Sequence, residues 1–400
     1  MKEDTLIVTA GRSPEDNYGI VNPPVYHAST VLFPTVAELE RSQQERLNNN
    51  TVYYGRYGTP TTFAFQDAIA KLDGGYRAVA LPSGQSAVLA SLMAFLKSGD
   101  HILVVDSVYG PTRAICNGLL ARYGITTTYY DPLIGPKIEA FIRPETKVIF
   151  TESPGSQTFE VQDIPAISEV AKKNGCVVIL DNTWATSLFF RPFDHGVDVC
   201  IQAATKYIVG HSDAMLGVVT ANEEYFDLLQ KTALDLGAPA GPDDLYLGQR
   251  GLRTLRVRLD RHMSTGLELA MWLESQPIVK KVLHPGLPSN FGHSIWQRDF
   301  RGSSGLFGVV LQPTTKHAIA AMLDHMELFK MGYSWGGYES LIIPTNPSGQ
   351  RTATSWDPSY PTFRIHAGLE DPEDLQKDLE DGLHRLEKSS ESTQQRTVRD

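Results

Sequence analysis

Short apolar runs that end in polar or acidic residues recur along the middle of this 400-residue chain, and they constrain its fold most strongly. They are HILVVD (101–106), KVIFTESP (147–154), CVVILDNT (176–183) and DVCIQAATK (198–206), with helical patterns between them. Apolar strands separated by helices are typical of a parallel sheet that helices cover on both faces. We therefore predict an α/β fold with a mostly parallel sheet. GVVTAN (217–222) follows the last strand too closely for a crossover helix, so it is predicted to run antiparallel.

Changes in this pattern divide the chain into three regions. Residues 1–57 lack steady periodicity and are predicted to form an N-terminal arm that contacts a neighbouring subunit. Residues 58–252 carry the alternating strands and helices and are predicted to form a large domain. Residues 253–400 are predicted to form a smaller C-terminal α+β domain. Its last stretch, 389–400, has almost no apolar residues and is predicted to be a frayed tail.

Charge and composition exclude several classes of partner. The net charge is −10 without a basic run, so neither nucleic acid nor an anionic membrane is an expected partner. No apolar run approaches the length of about 20 residues that a membrane helix needs. The N-terminal residues have only a short apolar stretch, so no export signal is expected. Cys116, Cys176 and Cys200 lack metal-ligand spacing, which predicts reduced thiols, no metal site and a cytoplasmic location.

One lysine lies where parallel α/β sheets bind their ligands, beyond the carboxyl end of a strand. Lys206 follows the apolar run of 198–206, and a partly desolvated amine there has a lowered pKa and can form a Schiff base. The alternative is an ordinary surface lysine on a loop. Asp181 ends the preceding strand, and a lysine with a carboxylate is the pair that pyridoxal phosphate requires. Asp181 would otherwise cap a turn.

Two further strand ends carry candidate cofactor contacts. The turn Ser83-Gly84-Gln85 opens a helix, whose free N–H groups suit a phosphate, although Ser83 would also be an ordinary N-cap. Tyr109 follows the run of 101–106 and is placed either to stack on a flat cofactor or to pack against the sheet end.

Two arginines are candidate anion contacts. Arg56, beside Tyr54 in a Gly-bounded loop, would either clamp a phosphate or remain a solvated loop charge. Arg364 lies in the strand FRIHAG and should be partly buried and therefore paired. Its partner would be either a substrate carboxylate or a structural group such as Glu370.

Four segments resemble the Cys/Met-metabolism family of pyridoxal-phosphate enzymes, and the resemblance extends over about residues 5–387. The segments are YGRYGTPT (54–61), ESPGSQTFEVQD (152–163), ATKYIVGHSDAMLG (204–217) and RIHAGLED (364–371). The resemblance implies the aspartate aminotransferase-like fold, fold type I, with pyridoxal 5'-phosphate as cofactor. It also implies a homo-oligomer, expected to be a tetramer built from two catalytic dimers.

The same resemblance implies a role for each candidate residue. Lys206 would bind the cofactor aldehyde and act in catalysis, Asp181 would face the ring nitrogen, and Tyr109 would stack on the ring and assist catalysis. The phosphate would be bound by Gly84, Gln85 and Thr205, joined by Tyr54 and Arg56 from the neighbouring subunit. The substrate would be held by Ser334, Trp335 and Arg364.

Within the family, two segments most resemble the β-lyases, which break a Cβ–S bond and act in methionine biosynthesis. They are RDFRGSSGLF (298–307) and YSWGGYESL (333–341), and the γ-lyases and γ-synthases usually have an aliphatic residue where Trp335 stands. The expected substrate is therefore a small sulfur amino acid. A γ-lyase or γ-synthase and a cofactor-binding regulatory protein with little turnover are the alternatives. Ala203 departs from the family, which often has Ser at this position, and a ligand role for Ser156 stays open.

Overall fold

The computed structural model describes residues 1–48 and 50–397. Its strands form a larger and a smaller sheet. The larger sheet contains β1 (Arg77–Leu81), β2 (His101–Val105), β3 (Thr126–Tyr130), β4 (Thr146–Glu152), β5 (Val177–Asp181), β6 (Val199–Gln202) and β7 (Gly217–Ala221). The smaller sheet contains β8 (Val279–Leu283), β9 (Leu306–Leu311), β10 (Leu341–Thr345) and β11 (Thr362–His366).

Helices precede, separate and follow these strands. They are α1 (Glu3–Thr9), α2 (Val36–Gln44), α3 (Pro60–Asp73), α4 (Gly84–Phe95), α5 (Gly110–Ala114), α6 (Ile164–Lys173), α7 (Thr186–Phe189), α8 (Glu223–Leu236), α9 (Pro242–Leu252), α10 (Leu255–Glu274), α11 (His293–Asp299), α12 (Lys316–Leu323) and α13 (Pro372–Thr397).

The larger sheet has the order β1-β7-β6-β5-β4-β2-β3. Strands β2 to β6 pair in parallel, and β7 is antiparallel to both β6 and β1. The predicted mostly parallel sheet and its antiparallel strand at 217–222 are therefore confirmed. Because β4, β5 and β6 are neighbours, the polar residues after them meet at one edge of the sheet.

The smaller sheet is antiparallel, in the order β10-β11-β9-β8. Helix α10 joins the two cores, since Leu255 and Leu259 pack in the core of the larger sheet and Leu269 and Leu273 in that of the smaller one. The predicted division at residue 252 falls between α9 and α10 and leaves α10 bound to both sides.

Part of the N-terminal arm packs on its own chain. Ile7 in α1 is buried, and its carbonyl accepts a hydrogen bond of 2.7 Å from Arg253 Nη1. Further along, the arm leaves apolar side chains in solvent, among them Tyr18, Leu32 and Val36, and α2 buries no residue. The arm is thus anchored at its start and carries an uncovered apolar surface beyond.

A segment between β10 and β11, residues 350–354, is fastened to the end of β2, and we call it the strap. The buried carboxylate of Asp106 accepts hydrogen bonds from the backbone N–H groups of Thr352, Ala353 and Thr354, and from both threonine hydroxyls. Arg113 adds an ion pair of 2.7 Å to the same carboxylate. Asp106 therefore links the two sheets.

Two expectations need correction or completion. Helix α13 continues to Thr397, so the prediction of a frayed tail is wrong for 389–397, while 398–400 lie outside the described residues. Strand β3 was not predicted, because its sequence TTTYY is polar and it pairs only with β2 at the sheet edge. No helix in the described part of the chain is long and apolar enough to cross a membrane.

Candidate active site

Lys206 lies in the turn that follows β6. Its amine donates a hydrogen bond of 2.8 Å to Ser334 Oγ and lies 5.4 Å from the centroid of the Trp335 ring. Burial, the larger cause, and the positive charge of Arg364 together lower the pKa of Lys206 to about 8, against the negative charge of Asp181, which raises it. The alternative of an ordinary surface lysine does not fit this environment.

The base of the lysine turn is closed by backbone pairing. The N–H of Thr205 donates to the carbonyl of Leu216 at 2.9 Å, and Thr205 Oγ1 accepts from the N–H of Leu216 at 2.8 Å. The Thr205 hydroxyl also donates to that carbonyl. Thr205 thus fixes the backbone beside Lys206, in addition to the phosphate contact that the family resemblance implies.

Asp181 ends β5, next to the strand that leads to Lys206. Its Oδ1 accepts hydrogen bonds from the N–H and the hydroxyl of Thr183, at 3.0 and 2.5 Å. No described residue donates a hydrogen bond to Oδ2. This oxygen is therefore free to accept a hydrogen bond from the ring nitrogen of a cofactor. Burial raises the pKa of Asp181, while the Thr183 hydrogen bonds and the charge of Lys206 act in the opposite direction.

The turn before α4 combines a capped helix start with close packing. Ser83 Oγ accepts a hydrogen bond from the N–H of Ser86, so it is the N-cap, and the earlier N–H groups of Gly84 and Gln85 are left for another acceptor. A Cβ at position 84 would lie 2.6 Å from the Cβ of Ala203, so only glycine fits this close approach. Ser83 is therefore the N-cap, and the N–H groups that it leaves free are compatible with the predicted anion-binding helix start.

Tyr109 stands at the start of α5, with its side chain half exposed. Its backbone N–H donates a hydrogen bond of 2.7 Å to Glu152 Oε2. Burial raises the pKa of Tyr109, the negative charges of Asp181 and Glu152 raise it further, and Arg364 lowers it. Tyr109 therefore lies close enough to Asp181, Glu152 and Arg364 to be affected by their charges.

Arg364, in β11, makes no ion pair within the described residues. Its Nη2 donates to the carbonyls of Gly332, Tyr333 and Ser334, at 3.2, 3.0 and 3.1 Å. Burial lowers its pKa to about 10. Glu370 instead accepts two hydrogen bonds from Ser340, so it is not the partner of the guanidinium. Arg364 keeps donors for a bidentate partner such as a carboxylate.

Tyr54 and Arg56 lie apart from this group. Arg56 Nη1 donates 2.8 Å to the carbonyl of Leu234 near the end of α8, and no contact among the described residues joins it to Lys206. Tyr54 is 42% exposed. The other predicted residues lie beyond the ends of β1, β2, β5 and β6, before β10 and in β11. No hydrogen bond or ion pair among the described residues joins Tyr54 or Arg56 to them.

Two residues with evident roles had no assignment from the sequence. Glu152 and Thr183 both lie at strand ends. The contact of Glu152 with Tyr109 depends on how the strands pair, whereas Thr183 binds a carboxylate only two positions before it, as in a local turn. Glu152 pairs with Asp181 in the parallel register of β4 and β5. This pairing would have identified Glu152 as a site residue, but it can be inferred only when the order of the strands in the sheet is known.

The residues present fit pyridoxal phosphate. They offer an amine of lowered pKa, an aromatic ring and uncapped helix N–H groups. They also offer a carboxylate oxygen that accepts no hydrogen bond, and an arginine that makes no ion pair, from any described residue. No group of His, Cys, Asp and Glu in the described residues is arranged to hold a metal ion.

Comparison with known proteins agrees with this site. The sequence pattern of the "Cys/Met metabolism PLP-dependent enzyme" family matches residues 4–384, and the chain belongs to that family. It is therefore an enzyme that uses pyridoxal phosphate, and the predicted fold type I is confirmed.

Its relatives include β- and γ-specific enzymes. The cystathionine beta-lyase MetC of Escherichia coli is 43% identical over 391 residues, 96% of this chain and 99% of that protein. The cystathionine beta-lyase of Salmonella typhimurium is 43% identical over 389 residues, 96% of this chain and 98% of that protein. A crystal structure of cystathionine gamma-lyase from Lactobacillus plantarum with L-serine has a TM-score of 0.87 at 29% identity, covering 97% of this chain and all of that one.

Proposed function

We propose that this enzyme is a carbon–sulfur lyase that cleaves the Cβ–S bond of L-cystathionine, with L-homocysteine, pyruvate and ammonia as products. The contact of Lys206 Nζ with the Ser334–Trp335 turn carries this proposal, together with Arg364 beside it, which makes no ion pair with a described residue. It joins a base, a carboxylate-binding group and the indole that marks the β-lyases in one pocket. The beta-lyases of E. coli and S. typhimurium, similar over nearly the whole chain, support the same substrate.

Bound pyridoxal phosphate supplies the electron sink that makes the Cα proton of an amino acid acidic. Lys206 Nζ then takes that proton as a positioned general base, and its lowered pKa leaves the amine partly unprotonated near neutral pH. As the Cβ–S bond breaks and a Cα=Cβ bond forms, Lys206 or Tyr109 returns a proton to the leaving sulfur. The three-carbon enamine that is released hydrolyses to pyruvate and ammonia.

Arg364 and Ser334 hold the substrate's α-carboxylate in this proposal. A bidentate contact fixes the direction of the Cα–H bond toward Lys206 Nζ. Two hydrogen bonds from Thr183 to Oδ1 support the ionised form of Asp181 beside the ring nitrogen, against the effect of burial. Gly84, Gln85 and Thr205 are proposed to hold the phosphate.

Trp335 separates the β-lyase from the alternative γ-lyase or γ-synthase. Its indole lies 5.4 Å from the Lys206 amine and fills space that an aliphatic side chain would leave open. The keto acid released from L-cystathionine decides between them. We expect pyruvate and homocysteine as products. Formation of 2-oxobutyrate and cysteine would contradict the β-lyase assignment and show that the enzyme is a γ-lyase. A panel of cystine, cysteine and other thioethers then defines the substrate range. Saturation with cofactor without turnover of any of them would contradict the proposed lyase.

We also propose a homotetramer built from two catalytic dimers, in which Tyr54 and Arg56 complete the phosphate site of the neighbouring subunit. Two observations support this arrangement: the arm has exposed apolar side chains, and no contact among the described residues joins Arg56 to the lysine of its own chain. The arm (1–57), large domain (58–252) and C-terminal domain (253–400) remain our proposed division. Three buried, unpaired cysteines support a cytoplasmic location.

A further inference from the structure

Glu152 and Asp181 occupy equivalent positions on neighbouring parallel strands. They are partners in the register of β4 and β5, and each is the last residue of its strand. Paired residues of neighbouring strands project to the same face of a sheet. The two carboxyl groups therefore share one side of the pocket, and Glu152 is buried there.

The carboxyl of Glu152 is joined to the backbone of Tyr109. The N–H of Tyr109 donates to Oε2 at 2.7 Å, so one side chain spans from the strand next to Asp181 to the residue predicted to stack on the ring. Ser156, in the loop after β4, also lowers the pKa of this carboxyl, and its N–H donates to the carbonyl of Ser107 at 2.8 Å. Gly155 packs closely here, since a Cβ at that position would lie 2.3 Å from Ser107 Oγ.

The two carboxyls have different electrostatic support. Burial and the negative charge of Asp181 raise the pKa of Glu152 well above its ordinary value, against the hydrogen bond from Tyr109 and the opposing influence of Ser156. In Asp181, two hydrogen bonds from Thr183 and the positive charge of Lys206 stabilise the ionised carboxylate. Of the two, Asp181 is therefore the better stabilised as a carboxylate, and Glu152 is the one whose protonated form its surroundings favour.

We propose that Glu152 is a positioning residue, which acts as a neutral hydrogen-bond acceptor and fixes the backbone of Tyr109 at a set distance from Asp181. Glu152 thereby fixes the distance between the ring of Tyr109 and the carboxylate of Asp181, and the cofactor ring would bind between these two groups. This inference rests on the cofactor-binding residues of the proposed function and is independent of which sulfur amino acid is cleaved.

Three variants separate a neutral acceptor from a charge. Glu152→Gln keeps a carbonyl acceptor at the same length, so its dissociation constant for pyridoxal phosphate should stay within about threefold of wild type. Glu152→Ala and Glu152→Met remove the acceptor and should weaken cofactor binding about tenfold; Met keeps the volume if Ala fails to fold. Glu145→Gln, an exposed change just before β4, is the matched control. A Gln variant as weak as Ala or Met would overturn the neutral role, and unchanged binding in Ala or Met would overturn the proposal altogether.

A double-mutant cycle tests whether Glu152 acts through Tyr109. In a Tyr109→Ala background, Glu152→Met should weaken cofactor binding by less than about threefold, because the ring that it positions is absent. Additive losses would show that Glu152 acts independently and would overturn the assignment. Binding is followed by absorbance and fluorescence titration, so a different substrate for the wild-type enzyme would leave this result intact.

Discussion

The amine of Lys206 and the hydroxyl of Ser334 are 2.8 Å apart, although 128 positions separate the two residues in the chain. Lys206 follows β6 of the larger sheet, and Ser334 precedes β10 of the smaller one. The proposed base and the proposed carboxylate-binding turn therefore meet only when both sheets are assembled. Activity should report on that assembly as well as on the residues themselves.

Replacing Lys206 by Ala should abolish the visible absorbance band of the bound cofactor and lower kcat/KM by at least about 10³-fold, because the covalent anchor and the base are lost together. Borohydride trapping and peptide mapping of the wild-type enzyme should place the pyridoxyl group on residue 206. Lys231→Ala, at an exposed position of α8, is the control. A retained band, or an adduct on another lysine, would contradict the site.

The rate at which the apoenzyme takes up pyridoxal phosphate should rise with pH and reach half its increase near pH 8. The pKa of Lys206 is lowered to about 8, so the reactive free amine forms well below its ordinary value of 10.5. Removal of the neighbouring positive charge in Arg364→Met should move the midpoint upward, whereas Arg364→Lys should leave it in place. Stopped-flow absorbance from pH 6.5 to 10 measures this, and identical midpoints in the two variants would refute the role of that charge.

Arg364→Lys should raise KM for cystathionine about 100-fold, because a lysine cannot reproduce the two parallel hydrogen bonds of a guanidinium to a carboxylate. Cofactor affinity should stay unchanged, since the cofactor contacts lie on the larger sheet. Steady-state kinetics and a cofactor titration of the same preparation give both values. An unchanged KM would assign the carboxylate to another residue.

Mixed oligomers of Arg56→Ala and Lys206→Ala chains should recover activity that neither variant has alone. If Arg56 serves the neighbouring subunit, a mixed dimer contains one site with both residues intact, and equal mixing restores about a quarter of the sites. The two variants are co-refolded at several ratios and assayed for pyruvate. Absence of recovery at every ratio would mean that each chain completes its own site.

Asp106→Asn should lower the free energy of unfolding at pH 7 by about 3 kcal/mol, because it removes a buried charge that holds Arg113 and the strap. Burial alone would raise the pKa of Asp106, but hydrogen bonds from Thr352, Thr354 and Arg113 outweigh it and lower the pKa to about 2.

This lowered pKa fixes the pH dependence of the effect. The stabilisation is complete above the ordinary pKa of 3.8 and is lost as pH falls towards 2, so wild type and variant should converge there. Urea unfolding at pH 7, 4 and 3 measures the difference, with the exposed Asp131→Asn as control. An equal difference at pH 7 and pH 3 would contradict the assignment.

The residues at strand ends could be predicted because buried parallel strands have an unmistakable apolar pattern. Lys206, Asp181 and Tyr109 each follow such a strand, and the sheet brings their side chains towards one pocket. The antiparallel course of β7 followed from the short connection before it. These inferences need only local sequence and the geometry of parallel sheets.

Contacts between distant segments could not be predicted in the same way. The pairing of Glu152 with Asp181 depends on which strands are neighbours, and the strap residues lie 246 to 248 positions from Asp106. No local pattern encodes either contact. The helix beyond residue 389 was missed because its apolar residues are few, although Ser390 contacts Thr314 through a hydroxyl hydrogen bond of 2.7 Å.

The pairing of Thr205 with Leu216 has a consequence for motion during turnover. Residues 205 and 216 are hydrogen-bonded to each other and close the segment between them. The main chain at the lysine therefore has little freedom to shift. The amine must therefore travel by rotation about the single bonds of its own four-carbon tether, on the fast timescale of side-chain rotamers. Lys206 could then change from its role in holding the cofactor to its role as general base without a movement of the backbone.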